Sequence, residues 1–122
     1  MKKILVVDDN KEIAELIKDK LIMNNYEVST ATSGQNALEL CKALKPDLIL
    51  LDIAMPVMDG YQTAKELREI SEIDDTPILF LTGKDLEETS IIAHCKSLKN
   101  CGYVPKLFTL KELLEKIKEV VG

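Results

Sequence analysis

The chain has 122 residues, enough for one domain with its own core and too few for two ordinary ones. Hydrophobic residues make up 46% and charged residues 30%, the balance of a soluble globular protein rather than a disordered or membrane-embedded chain. A formal net charge of −5 with no basic run disfavours direct nucleic-acid binding, which needs clustered Lys and Arg against the phosphates.

The apolar stretch at residues 4–7 is too short for a signal peptide or a membrane span. The expectation is a cytoplasmic protein, 1–122 forming a single domain, with no membrane contact. Cys41, Cys95 and Cys101 are odd in number and lack CxxC spacing, so they read as reduced thiols. A redox role for Cys95 and Cys101, if they lie near one another, stays open.

Along the chain, short apolar runs alternate five times with amphipathic segments. The first run is at residues 4–7, and Ile13, Leu16, Ile17 and Leu21 then repeat at the three-and-four spacing of one helical stripe. Met23 is expected to pack beneath that helix. The second run, 28–31, is more polar and suits an edge strand. Ser33 is placed to cap the helix that follows, whose stripe is Ala37, Leu40, Cys41 and Leu44.

The third run, 48–51, is continuously apolar, as are the first and the fourth (78–81). Such runs suit parallel strands covered on both faces. Asp59 is placed to cap the third helix. The fourth helical segment opens on Glu87-Glu88-Thr89-Ser90, with Asp85 and Glu88 resembling a capping box. Only Ile91, Ile92, Cys95 and Leu98 give it an apolar side, so it is expected to be weakly anchored. Asn100 or Gly102 can end it in the left-handed conformation.

The fifth run is short, Tyr103-Val104, and stops at Pro105, which suits a second edge. The last helix carries a Thr109/Glu112 capping box and a stripe of Leu110, Leu113, Leu114, Ile117 and Val121. This alternation predicts an α/β fold, (βα)5, with a parallel sheet and helices on both faces. In such sheets ligands bind beyond the carboxyl ends of the strands.

Four of the five strand ends carry polar groups: Asp8 and Asp9, Asp52, Thr82, and Lys106. Clustered carboxylates repel, by about 4 kcal/mol for a pair at 4 Å and an effective dielectric near 20. They therefore call for cations. Lys106 supplies one charge, and an all-oxygen acidic site suits Mg²⁺ (or Mn²⁺ or Ca²⁺) better than zinc. A carboxylate beside a metal, a lysine and a hydroxyl has the parts for phosphoryl transfer to an aspartate nucleophile. His94, the sole histidine, reads as a surface or packing residue away from this rim.

ILVVDDN at residues 4–10, KPDLILLDIAMPVMDG at 45–60 and PILFLTGKD at 77–85 resemble the bacterial response-regulator receiver domains, and the likeness covers essentially the whole chain. The resemblance implies the doubly wound, flavodoxin-like strand order 2-1-3-4-5. It implies that Asp52 accepts phosphate from a histidine kinase or histidine phosphotransfer protein. Asp9, Asp52 and the Ala54 backbone carbonyl would ligate Mg²⁺, with Asp8 acting largely through water. Thr82, Gly83 and Lys106 would bind the phosphoryl group, and Tyr103 would be an aromatic switch moving with Thr82. Phosphorylation would then shift the fourth helix, fifth strand and fifth helix to control a downstream protein partner.

The sequence departs from that pattern in two places. The family's lysine is usually followed by proline, whereas Pro105 here precedes Lys106; the stretch from Thr82 to Lys106 is also about two residues longer. Ala54 offers no side-chain group to position an attacking water, which points to slow autodephosphorylation.

Three rivals share parts of this layout. A haloacid-dehalogenase-type phosphatase needs an aspartate where Ala54 stands, and a flavodoxin-like carrier would have its flavin phosphate repelled by Asp8-Asp9-Asn10. A degenerate receiver acting as a phosphorylation-independent interaction module is opposed by the intact acidic, hydroxyl and lysine set.

Overall fold

The computed structural model describes residues 1–82, 88–105 and 109–121. Five strands and five helices alternate: β1 (Lys3–Val7), α1 (Lys11–Ile22), β2 (Glu27–Ala31), α2 (Gly34–Leu44), β3 (Leu48–Asp52), α3 (Gly60–Leu67), β4 (Ile78–Thr82), α4 (Glu88–Ser97), β5 (Cys101–Pro105) and α5 (Leu110–Val121). All strand pairs are parallel and the order is β2-β1-β3-β4-β5. The two weaker runs, β2 and β5, are the edges, as their composition predicts.

Period-two alternation divides each central strand between two cores. Leu5, Val7, Ile49, Leu51, Ile78 and Phe80 pack beneath α2, α3 and α4. Ile4, Val6, Leu48, Leu50, Leu79 and Leu81 pack beneath α1 and α5. Covering both faces leaves no position in β3 or β4 open to water, which is why those runs are unbroken in apolar character up to Asp52 and Thr82.

Ser33 and Asp59 cap α2 and α3 through bonds from the backbone N–H groups of Asn36 and Gln62. The reciprocal pair Thr109/Glu112 caps α5, at 3.1 Å in each direction. The proposed Asp85–Glu88 box lies outside the described residues. Asn100 is the left-handed residue after α4, at φ 48°, whereas Gly102 belongs to β5.

Two packing expectations fail. Leu16 is 57% exposed, because only Ala14, Ile17 and Leu21 of α1 are buried, with Ile13 packed beside them. The three-and-four spacing admitted Leu16, but it lies at one flank of the buried stripe. Met23 is 82% exposed, since it is the C-cap of α1 and the chain turns there toward Tyr26 and β2.

A further tie has no counterpart in the sequence reading. The Arg68 guanidinium, just past α3, donates to the carbonyls of Ile73, Thr76, Lys99 and Asn100, at 2.6–3.4 Å. It fastens the α4–β5 turn to the α3–β4 connection, where Ser71–Ile73 forms one 3-10 turn. Among the described residues no helix is long and apolar enough to cross a membrane.

Candidate functional site

The register brings the acidic residues together. Val7 pairs with Leu51, so the residues that follow them, Asp8 and Asp52, emerge side by side at the carboxyl ends of β1 and β3. One carboxylate oxygen from each of Asp8, Asp9 and Asp52 can be chosen so that all three lie within 4.8 Å of one another. Asp8 is fully buried, Asp52 is 2% exposed, and Asp9 faces solvent. The cluster is thus a pit with one open side.

Local structure holds each acid in place. The Asp8 backbone N–H bonds the Ala31 carbonyl at 3.0 Å, extending the β1–β2 ladder by one residue. The Asp8 Oδ1 accepts from the Asn10 N–H at 2.9 Å. Asn10 in turn caps α1, its Oδ1 accepting from the Glu12 and Ile13 N–H groups. α1 therefore begins directly beside the acids, with the positive end of its dipole toward them. This Asn10 cap escaped the sequence reading, although an Asn three residues ahead of a helical stripe is a signal that could have found it.

The loop after Asp52 closes on itself. Met55 and Gly60 both donate backbone N–H bonds to the Ile53 carbonyl, at 3.0 and 2.9 Å. Ile53 and Met55 are buried and anchor the loop, leaving Ala54, Pro56 and Val57 exposed. Val57 has φ 68°, the left-handed region that a β-branched residue enters with difficulty. A Cβ at Gly60 would lie 2.4 Å from the Asp52 carbonyl oxygen and 2.7 Å from Ile53 Cα. Gly60 is thus what lets α3 start against the end of β3.

Thr82 closes the rim on the far side. Leu81 pairs with Asp52, so Thr82 stands one residue beyond the acid on the neighbouring strand, nearly buried. Tyr103 lies on β5 opposite Phe80 and is partly buried against the core under α4. Gly83 and Lys106, assigned to phosphoryl binding, fall outside the described residues, as does the peptide bond after Lys106.

The carboxylate set fits a small, hard divalent cation. Ligand oxygens at about 2.1 Å from Mg²⁺ lie roughly 3 Å apart when adjacent and 4.2 Å when opposed. A cluster spanning 4.8 Å needs only a small closure to reach those separations. Among the described residues no other group of three potential ligands converges this way.

The remaining singled-out residues lie elsewhere. All three cysteines are free; burial pushes the Cys41 thiol up to about 12. Burial, with nearby Cys101, pushes Cys95 up to about 11. Such thiols stay protonated and weakly nucleophilic. His94 packs flat on Tyr61 of α3, in line with its packing assignment.

A model of the response regulator receiver domain matches residues 4–118. The chain is 38% identical over 120 residues to the alkaline phosphatase synthesis transcriptional regulatory protein PhoP of Bacillus subtilis, covering 98% of this chain and 48% of that protein. It is 35% identical over 119 residues to the response regulator MprA of Mycolicibacterium vanbaalenii, covering 98% and 50%. The chain therefore spans about half the length of these curated relatives. Among solved structures, the chemotaxis protein CheY4 of Vibrio cholerae superposes with a TM-score of 0.90 at 32% identity, over 98% of both chains. A response regulator from Chloroflexus aurantiacus gives 0.88 at 32% identity, over 98% and 97%.

Proposed function

The chain belongs to the response regulator receiver domain family, and from that premise we propose that Asp52 is its phosphoacceptor in a two-component or phosphorelay system. The observation that carries this reading is the convergence of Asp8, Asp9 and Asp52 at the ends of two adjacent parallel strands, buried on one side and open at Asp9. Two buried carboxylates with a third, exposed one beside them are a costly cluster for a fold that keeps it for structure alone. A site that gathers cations and phosphoryl oxygens gives it a purpose.

In this reading an Asp52 carboxylate oxygen attacks the phosphorus of a phosphohistidine on a histidine kinase or phosphotransfer protein. The new P–O bond forms as the P–N bond breaks, and the donor imidazole leaves. Asp9, Asp52 and the Ala54 carbonyl are the residues to hold Mg²⁺, with Asp8 acting through water. Bound there, the ion would neutralise the acids and the transferring group. The Thr82 hydroxyl and the Gly83 backbone are assigned to the phosphoryl oxygens, and Lys106 to pairing with them. Tyr103 then follows Thr82, and the α4–β5–α5 surface changes its affinity for a downstream protein.

Intact mass after incubation with acetyl phosphate and Mg²⁺ tests this directly. The wild type is expected to gain one phosphoryl group and Asp52→Asn none. No gain by the wild type, with no Mg²⁺ binding, would overturn the assignment in favour of a phosphorylation-independent interaction module.

A further inference from the structure

Three rings run in file from the middle of the sheet to the outer helix α4. Phe80, at the centre of β4, meets Tyr61 of α3 edge-on, with centroids 5.3 Å apart and planes at 72°. Tyr61 then stacks flat on His94 of α4, at 3.6 Å and 7°. The His94 Nδ1 lies 2.8 Å from the Ser90 carbonyl oxygen. A carbonyl only accepts, so Nδ1 carries the hydrogen, and the ring is pinned to its own helix one turn back.

This file matters because, among the described residues, α4 has few other apolar anchors. Ile91 is its one fully buried apolar side chain among the described residues, with Cys95 packed at the margin of the same core. The stack of His94 on Tyr61 is therefore a large share of what sets α4 against α3. At its inner end the file reaches the candidate site. Phe80 and Thr82 are two residues apart on β4 and so share a face of the strand. A shift of β4's end that follows Thr82 bears on Phe80, and through the rings on α4.

We propose that the Phe80–Tyr61–His94 file couples the phosphoryl end of β4 to α4, with Tyr61 and His94 as positioning residues. The proposal rests on Asp52 being the phosphoacceptor and adds the route by which its state reaches the helix. A flat ring at position 94 is the feature that matters, so phenylalanine is predicted to replace histidine there and alanine is not.

The test is amide hydrogen exchange at Ile91 and Ile92, with and without acetyl phosphate and Mg²⁺, while intact mass tracks Asp52. The wild type is expected to change α4 exchange by roughly fivefold or more on phosphorylation, the lower end of ordinary coupling. His94→Ala and Tyr61→Leu are expected to gain the phosphoryl group and lose most of that response; His94→Phe is expected to restore it. As His94 is the only histidine, its ring C–H resonance gives a second readout and should move on phosphorylation of the wild type. Phosphorylated His94→Ala and Tyr61→Leu with a wild-type response would overturn the coupling and leave the acceptor assignment standing. So would a His94→Phe that is folded and phosphorylated but behaves as alanine. A wild type that gains no phosphoryl group would overturn the acceptor assignment, and the coupling with it.

Discussion

Gly60→Ala is the substitution by which the geometry beneath Asp52 can be weighed. The added methyl would sit 2.4 Å from the Asp52 carbonyl oxygen, 2.7 Å from Ile53 Cα and 3.0 Å from the Asp52 carbonyl carbon. All three are backbone atoms at the end of a central strand, and none can swing aside as a side chain could. Relief requires α3 to back away, which stretches the 2.9 Å bond from the Gly60 N–H to the Ile53 carbonyl. Overpacking of this kind costs about 1–3 kcal/mol, and the weakened bond about 1 more, for roughly 2–4 kcal/mol in all. At roughly 4 °C per kcal/mol for a domain of this size, Tm falls by about 8–16 °C.

Gly102→Ala supplies the contrast. There the new methyl meets Leu79 Cδ2 at 3.0 Å and Lys116 Cε at 3.9 Å, side-chain atoms rather than backbone, so Tm should move by no more than about 4 °C. Because the methyl at position 60 presses on the backbone of Asp52 itself, Gly60→Ala should also slow phosphoryl gain from acetyl phosphate. Thermal unfolding by circular dichroism reads the first effect and intact mass the second. If Gly60→Ala melts with the wild type, the contact does not govern how α3 is seated, and the reasoning fails.

Two further outcomes follow from local geometry. Val57 holds a left-handed backbone, which costs a residue with a Cβ about 1–2 kcal/mol, and its side chain is fully exposed. Asn tolerates that region, so Val57→Asn should raise the denaturation midpoint by the equivalent of about 1 kcal/mol; an unchanged or lower midpoint would show that the side chain stabilises the loop. The Thr109 backbone N–H, then its hydroxyl contact, hold the Glu112 carboxyl below its ordinary value of 4.5. A depressed folded value means the contribution is present above pH 4.5 and is lost as pH falls through the folded value. Glu112→Gln should therefore be less stable than the wild type at pH 7 and indistinguishable from it in acid. A gap that persists in acid well below the folded value would sink the capping-box account.

The strands and the acidic cluster were legible because each rests on a pattern with one physical meaning. An unbroken apolar run ending in Asp marks a doubly covered parallel strand whose last residue reaches the rim of the sheet, and β3 ends at Asp52 for that reason. Ser33 and Asp59 were legible as caps because a short polar side chain ahead of a helix has few other uses. Leu16 was not, because three-and-four spacing fixes a stripe only to within its flanks, and the sequence does not record where the neighbouring helix stops covering it.

The ties that join elements distant in sequence were the least legible. Nothing local in the sequence singles out Arg68, and only the fold brings four carbonyls, from Ile73 to Asn100, within its reach. His94 likewise reads only as a surface or packing residue, and its partner Tyr61 becomes visible once α3 is set beneath it. Both features join α3 to α4 or to the turn after it, the part of the chain whose own sequence offers least to bury. A helix with so little apolar surface takes its position from its neighbours, and those neighbours are themselves set by β3 and β4, whose ends carry Asp52 and Thr82. If the coupling proposed through Phe80, Tyr61 and His94 holds, weak local anchoring and borrowed long-range contacts make α4 the element expected to respond to what happens at the acidic rim.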